Sequence, residues 1–251
     1  MDDLERRALD ILASAKRAVA FTGAGISVDS GIPDFRSAGG LWERFDPMDY
    51  AHIESFRRNP VRVWNMLREM REIVRSAKPN PGHLGLAELE LLGTLTTVIT
   101  QNIDALHQLA GNTRVIEFHG NSQRLVCLGC GANVDRETVE RGHAEFPPRC
   151  RCGTILKPDV VFFGEQIPPA ALESSWEAAR RCDVMVVVGT SAVVYPAGEL
   201  PILAKRAGAR VIEINREPTP LTGEVADVTL LGSASDILPR LVAELRERRM
   251  H

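Results

Sequence analysis

Apolar positions along the chain fall into two alternating patterns. Runs of consecutive aliphatic and β-branched residues recur at Ala18–Thr22, Thr96–Thr100, Val115–Phe118, Val184–Val188, Val211–Ile214 and Val228–Leu231. Continuous runs of this kind, rather than strictly alternating ones, mark strands covered on both faces. Between them lie stretches with apolar residues at helical spacing: Leu4–Arg17, Val61–Ser76, His83–Leu92, Ala170–Arg181, Gly198–Ala207 and Ile237–Arg248. Strand alternating with helix predicts an α/β fold with a doubly wound, Rossmann-like parallel sheet.

Two segments break that rhythm. Gly31–Asn59, rich in Pro, Gly and charge, reads as a long functional loop rather than regular structure. Arg124–Lys157 is polar, studded with Gly and Pro, and too poor in apolar residues to build a core of its own. The expected division is a large nucleotide-binding domain of residues 1–30, 60–123 and 158–251, with a small module of residues 31–59 and 124–157.

Composition narrows the class. The 251 residues are 44% hydrophobic and 25% charged, which excludes a disordered or fibrous chain. Thirty Lys+Arg against 33 Asp+Glu give −3, so no global charge favours nucleic acid or an anionic membrane. No run approaches a membrane span, and the charged first ten residues lack a signal core. The expectation is a cytoplasmic monomer that binds neither membrane nor nucleic acid.

Four of the five cysteines fall within 127–152. Cys127-x2-Cys130 has the usual knuckle spacing, and Cys150-x-Cys152 follows 19 residues later with a tighter one. Four thiolates can fill the closed tetrahedral shell of a structural zinc, making the polar segment a small inserted zinc ribbon; disulfides are the alternative. Cys182, at a helix end before a strand, reads as an inert core thiol.

The candidate chemistry sits at strand ends, where open parallel sheets bind ligands. Gly23-Ala24-Gly25 after the first strand begins a dinucleotide fingerprint, but Val28 replaces its third glycine and no ribose-binding acid follows, which disfavours a dehydrogenase. Gln101, Asn102 and Asp104 emerge from the second strand and could hydrogen-bond a ribose or a carboxamide, or cap a following helix. His119 ends the third strand, where an imidazole can take up and return a proton near neutral pH. His52, His83, His107 and His143 lack such a context.

The ordered motifs resemble those of the sirtuins, the NAD-dependent protein deacylases. They are Gly23-Ala24-Gly25-Ile26-Ser27 running on to Gly31-Ile32-Pro33-Asp34-Phe35-Arg36, then Thr100-Gln101-Asn102-Ile103-Asp104 with His107, then Phe118-His119-Gly120. The paired cysteines, Phe163-Gly164-Glu165, Gly189-Thr190-Ser191 and Ile214-Asn215 follow in family order, so the resemblance spans roughly residues 15–245. The Cys150–Cys152 spacing departs from the commonest family pattern.

The resemblance implies roles for individual residues. Gly23, Ala24, Ser27, Arg36, Gln101 and Asn102 would surround the ribose and phosphates of NAD. Ile103 and Asp104 would hold the nicotinamide carboxamide, and Asp34 and Phe35 would shape its pocket. Gly189, Ser191, Asn215 and Ala234 would serve the adenosine end. His119 would be the general base on a ribose hydroxyl, with Asn102 as the second catalytic residue. Val161, Phe162, Phe163 and Gly164 would form one wall of an acyl-lysine tunnel, with Val193 and Tyr195 opposite, and the peptide would add as a strand between them.

The implied reaction consumes NAD and yields nicotinamide, O-acyl-ADP-ribose and free lysine, while zinc stays structural. Family members that remove acidic acyl groups carry a Tyr and, three residues later, an Arg, where this chain has Leu67 and Met70; Arg68 and Arg71 fall one residue off. Acetyl and other neutral acyl groups are therefore expected. A mono-ADP-ribosyltransferase using the same NAD site, or a noncatalytic NAD-sensing or zinc-dependent interaction module, are the competing readings.

Overall fold

The computed structural model describes residues 1–34, 40–142 and 145–250. Its centre is a six-stranded sheet of β1 (Ala18–Thr22), β2 (Leu95–Thr100), β3 (Val115–Glu117), β7 (Val184–Val188), β8 (Arg210–Asn215) and β9 (Val228–Leu231). The strand order is β3-β2-β1-β7-β8-β9, and every neighbouring pair is parallel. The predicted runs land on these strands to within a residue at their ends.

The central strands β1 and β7 are buried along their whole length because helices cover both faces of the sheet, whereas the edge strands β3 and β9 are only partly buried. Alternate side chains of β1 go to opposite layers. Ala18 and Ala20 join a core cluster with α1 (Asp3–Ser14), α6 (Pro81–Leu91) and α11 (Ala234–Met250). Val19 and Phe21 join the other, with α9 (Pro169–Arg181) and α10 (Glu199–Arg206). The helices start where the chain supplies caps. Asp2 and Glu5 form a capping box for α1, and Asn80 caps α6 ahead of Pro81.

The segment read as an irregular loop carries short helices: α2 (Leu41–Arg44), α3 (Pro47–Tyr50) and α4 (Ile53–Arg58), followed by α5 (Pro60–Ser76). The Asp46 carboxylate accepts from Met48 N and His52 Nδ1 accepts from Glu54 N, so capping side chains organise turns that hydrophobic periodicity does not reveal. The cysteine segment forms an antiparallel sheet of β4 (Gly120–Cys127), β5 (Asn133–Asp135) and β6 (Leu156–Val160), with α8 (Arg136–Gly142) beside it. Its few apolar residues do reach a core, because they share one. Leu125, Val139, Leu156 and Phe162 pack with Ile53, Phe56, Val63 and Trp64 from α4 and α5.

The strand order reverses between β1 and β7, and there the two following turns touch. Gly25 N donates to Gly189 O at 2.8 Å. A Cβ on Gly189 would lie 2.3 Å from Ile26 N, and Gly189 has φ +60°, so both space and backbone conformation require glycine. Gly208 has φ +97°, but a Cβ there would project into open space with no neighbour within 4 Å. Gly189→Ala is expected to cost about 3 kcal/mol or more and Gly208→Ala about 1 kcal/mol, the difference being the backbone clash. Thermal melting of the two variants checks this, and equal shifts would contradict it.

Candidate active site

All six parallel strands point their carboxyl ends to one edge, which gathers the polar residues that follow them. Gly23, Ala24 and Ser27 follow β1, Gln101 to Asp104 follow β2, and His119 follows β3. Gly189 and Ser191 follow β7, Asn215 ends β8, and Ala234 follows β9. Hydrogen bonds tie these turns together. Asn102 Nδ2 donates to Gly23 O and to Ser27 Oγ, each at 3.1 Å. Gln101 Nε2 donates to Thr190 Oγ1 at 2.8 Å, and Gly232 N donates to Asn215 O at 2.8 Å.

Ser27 shows how fully the site is specified. Its hydroxyl donates to Asp104 Oδ2 at 2.8 Å and accepts from Asn102 Nδ2. His83 Nδ1 accepts from Asn80 N, which leaves a proton on Nε2 to face Ser27 Oγ at 3.5 Å. His83 therefore belongs to the floor of the site, although the sequence offered no context for it; the signal was Asn80-Pro81, which starts α6 and aims it here. Beneath it, His107 Nε2 bonds Thr22 Oγ1 at 2.9 Å, and Thr22 Oγ1 donates to Thr100 Oγ1 at 2.9 Å. Burial holds His83 down at about 4 and His107 at about 3, so both are neutral polar supports at cellular pH. Burial likewise raises the Asp104 carboxyl, and its bonds from Leu106 N and Ser27 oppose that rise. The Leu106 contact ties Asp104 to the first residue of α7 (Leu106–Ala110), whose N-cap position is Ala105.

His119 is built as a base. Its Nδ1 lies 3.2 Å from the Gln101 carbonyl, which can only accept, so Nδ1 carries the proton and Nε2 keeps its lone pair. Burial lowers its pKa from the ordinary 6.5, partly offset by the Gln101 carbonyl, so the neutral form prevails at pH 7.

The segment that follows β6 runs past His119. Val161 N donates to His119 O, and Phe163 N donates to Ala51 O, which lays Val161–Gly164 alongside the histidine. Phe162 turns inward, 5% exposed and packed against Phe56, whereas Phe163 is 41% exposed. Val193 and Tyr195, in the turn after β7, are exposed as well. Asp34 is at the edge of the described chain, its carbonyl accepting from Leu41 N. Phe35, Arg36 and His143 lie outside the described residues.

The donor set fits an extended dinucleotide: turns with bare backbone at Gly23, Gly25 and Gly189, and amides and hydroxyls in place of fixed carboxylates along most of the edge. The cysteines fit zinc. All four Sγ atoms lie within 4.8 Å of one another. Cys127 and Cys152 are 3.5 Å apart and Cys130 and Cys150 are 3.6 Å apart. Tetrahedral sulfurs about 2.3 Å from a zinc would be about 3.8 Å apart, whereas a disulfide needs about 2 Å. The tight Cys150-x-Cys152 spacing thus still brings its two thiols onto those of the first knuckle. Cys182 is buried apart from them, and burial pushes its thiol up to about 11.

Comparison with known proteins agrees with this geometry. The model of the Sir2 family matches residues 23–196. An NAD-dependent protein deacylase 2 of Pyrobaculum aerophilum is 49% identical over 240 residues, covering 95% of each chain. The protein of the same name from Archaeoglobus fulgidus is 48% identical over 252 residues and 99% of each chain. Among solved structures, a Sir2 homolog–NAD complex superposes with a TM-score of 0.90 at 41% identity, covering 99% of this chain and 95% of that one. Sir2Af2 bound to a myristoylated histone peptide superposes with a TM-score of 0.83 at 44% identity, covering 100% and 99%. With the family matched over most of the sequence and such relatives spanning nearly all of it, the chain belongs to the Sir2 family.

Proposed function

We propose that the protein removes acetyl and other neutral acyl groups from lysines of proteins, consuming NAD and releasing nicotinamide, O-acyl-ADP-ribose and free lysine. The observation that carries this reading is His119, fixed as the Nδ1–H tautomer with the lone pair on Nε2, beside the Val161–Gly164 segment. NAD supplies the ribose carbon that gives up nicotinamide and takes the acyl oxygen. The protein's part is to hold that ribose among Asn102, Ser27 and the Gly23 turn and to take a hydroxyl proton on His119 Nε2. Related Sir2 structures contain 2′-O-acetyl-ADP-ribose, or 3′-O-acetyl-ADP-ribose with a deacetylated p53 peptide, which are products of this kind.

The peptide adds as a strand between Val161–Gly164 and Val193–Tyr195, with the exposed side chains of Phe163, Val193 and Tyr195 flanking it. An apolar passage accepts a neutral acyl-lysine and rejects an ammonium, whose desolvation is costly. Nearby cations are committed elsewhere: Arg71 pairs with Glu140 at 2.6 Å, and Arg68 lies over the Phe146 ring. A clustered thiolate site suits a reducing cytoplasm, and the proposed acting form is a monomer.

His119→Ala is expected to lower NAD-dependent deacylation of an acetyl-lysine peptide about 10²–10⁴-fold, read as nicotinamide release. In the wild type, acid inactivates by protonating Nε2; since the His119 pKa is lowered from 6.5, the acid limb of kcat/KM should fall below pH 6.5. Full activity in the variant, or a limb at or above neutrality, would sink the assignment.

A succinyl-lysine peptide should show kcat/KM at least about 100-fold below its acetyl counterpart, because among the described residues Arg68, Arg71 and Lys157 are already engaged, the last by Glu165. Comparable rates would refute the neutral-acyl preference.

The protein should carry one zinc per chain by atomic absorption, and a strong chelator should lower its melting temperature by more than about 10 °C. Unchanged melting after metal removal would show that the cysteines are not a structural metal site.

A further inference from the structure

Among the described residues Arg136 is the one buried arginine, at 3% exposure, and the proposed chemistry makes no use of it. A guanidinium out of water is costly unless its donors are satisfied. Arg136 Nε donates to Glu140 Oε1 at 2.8 Å, and the other Glu140 oxygen pairs with Arg71. The Trp64 ring lies 5.2 Å from its charge. Its Nη1 donates to the backbone carbonyl of Ser122 at 3.2 Å.

Ser122 is where β4 leaves its register with β6. Asn121 faces Asp159 and Leu125 faces Pro158, so the residues between them bulge out of the ladder. Bulges re-aim side chains. This one turns Ser122 onto the strand end of β2: Ser122 N donates to Ile103 O at 3.1 Å, and Ser122 Oγ donates to the same carbonyl at 2.7 Å. The Ile103 side chain packs on the small module's core. Its neighbours are held differently. Gln101, Asn102 and Asp104 bond Thr190, Gly23, Ser27 and Leu106, all from the large sheet's own turns.

We infer that Ser122, backed by Arg136, is a positioning residue through which the zinc-holding module sets Ile103 against the nicotinamide end of the cofactor. This rests on the proposed deacylase reading, in which Ile103 faces the nicotinamide. The two ends of NAD are then positioned by different parts of the molecule. The adenosine and phosphate end depends on the parallel sheet, and the nicotinamide end depends also on the bulge and the buried guanidinium.

The test compares wild type, Ser122→Ala, Ser122→Thr and Arg136→Met, each checked for zinc content and melting temperature. Ser122→Ala should raise KM for NAD roughly fivefold, the worth of one hydrogen bond, with KM for the acetyl-lysine peptide and the zinc content unchanged. Binding of ADP-ribose, which lacks nicotinamide, should not move in Ser122→Ala. Ser122→Thr, which keeps the hydroxyl, should restore the NAD value. Arg136→Met, if it folds, should show the same split. Unchanged KM for NAD in Ser122→Ala overturns the inference, as does an equal loss of ADP-ribose and NAD binding, which marks a purely structural role. If Arg136→Met fails to fold, Ser122→Ala and Ser122→Thr still decide. A wild type that binds ADP-ribose but releases no nicotinamide with acetyl-lysine peptide refutes the deacylase reading itself, and this inference with it.

Discussion

Parallel strands covered by helices on both faces, as β1 and β7 are at the centre of this sheet, can expose their backbone to a ligand only at an end of the sheet. All six run the same way, so their carboxyl ends and the turns that follow share one edge. Where the winding reverses between β1 and β7, the Gly25–Gly189 contact brings two of those turns within hydrogen-bond distance. The polar residues after each strand then become neighbours, although up to about 200 positions separate them in the chain. The direction of the strands thus decides where the site is, and the close approach of two glycines decides its width.

A second layer of constraint lies beneath that edge. The Ser27 hydroxyl has one proton and two lone pairs, and Asp104, Asn102 and His83 take all three. Two histidines kept neutral by burial support this network without adding charge to a site meant for an anionic cofactor. His119 differs from them in its partner: a backbone carbonyl holds the proton on Nδ1 and leaves the lone pair on Nε2. The same residue type is a neutral support in one place and, in the proposed reaction, a base in another because of those partners.

The small module contributes more than a metal site. Its sheet shares one core with α4 and α5. Through the bulge at Ser122 the module grips Ile103, in the middle of the β2 strand-end motif. Contacts thus link the buried Arg136 through Ser122 to Ile103.

Much of this was legible in the chain itself. Unbroken apolar runs set the strands, and their alternation with helical stretches set the parallel sheet. Glycine turns, Gln101–Asp104 and His119 at strand ends pointed to the site, and cysteine spacing pointed to zinc. These signals are local, so they survive without knowledge of the fold. What the tertiary structure alone decided depends on residues distant in sequence meeting in space. The helices α3 and α4 start at side-chain caps, the module's core is borrowed from α4 and α5, and His83 reaches Ser27 only through the packing of α6. The inward turn of Phe162, the tautomer of His119 and the hold of Ser122 on Ile103 likewise follow from which groups face one another, and that is a property of packing rather than of pattern.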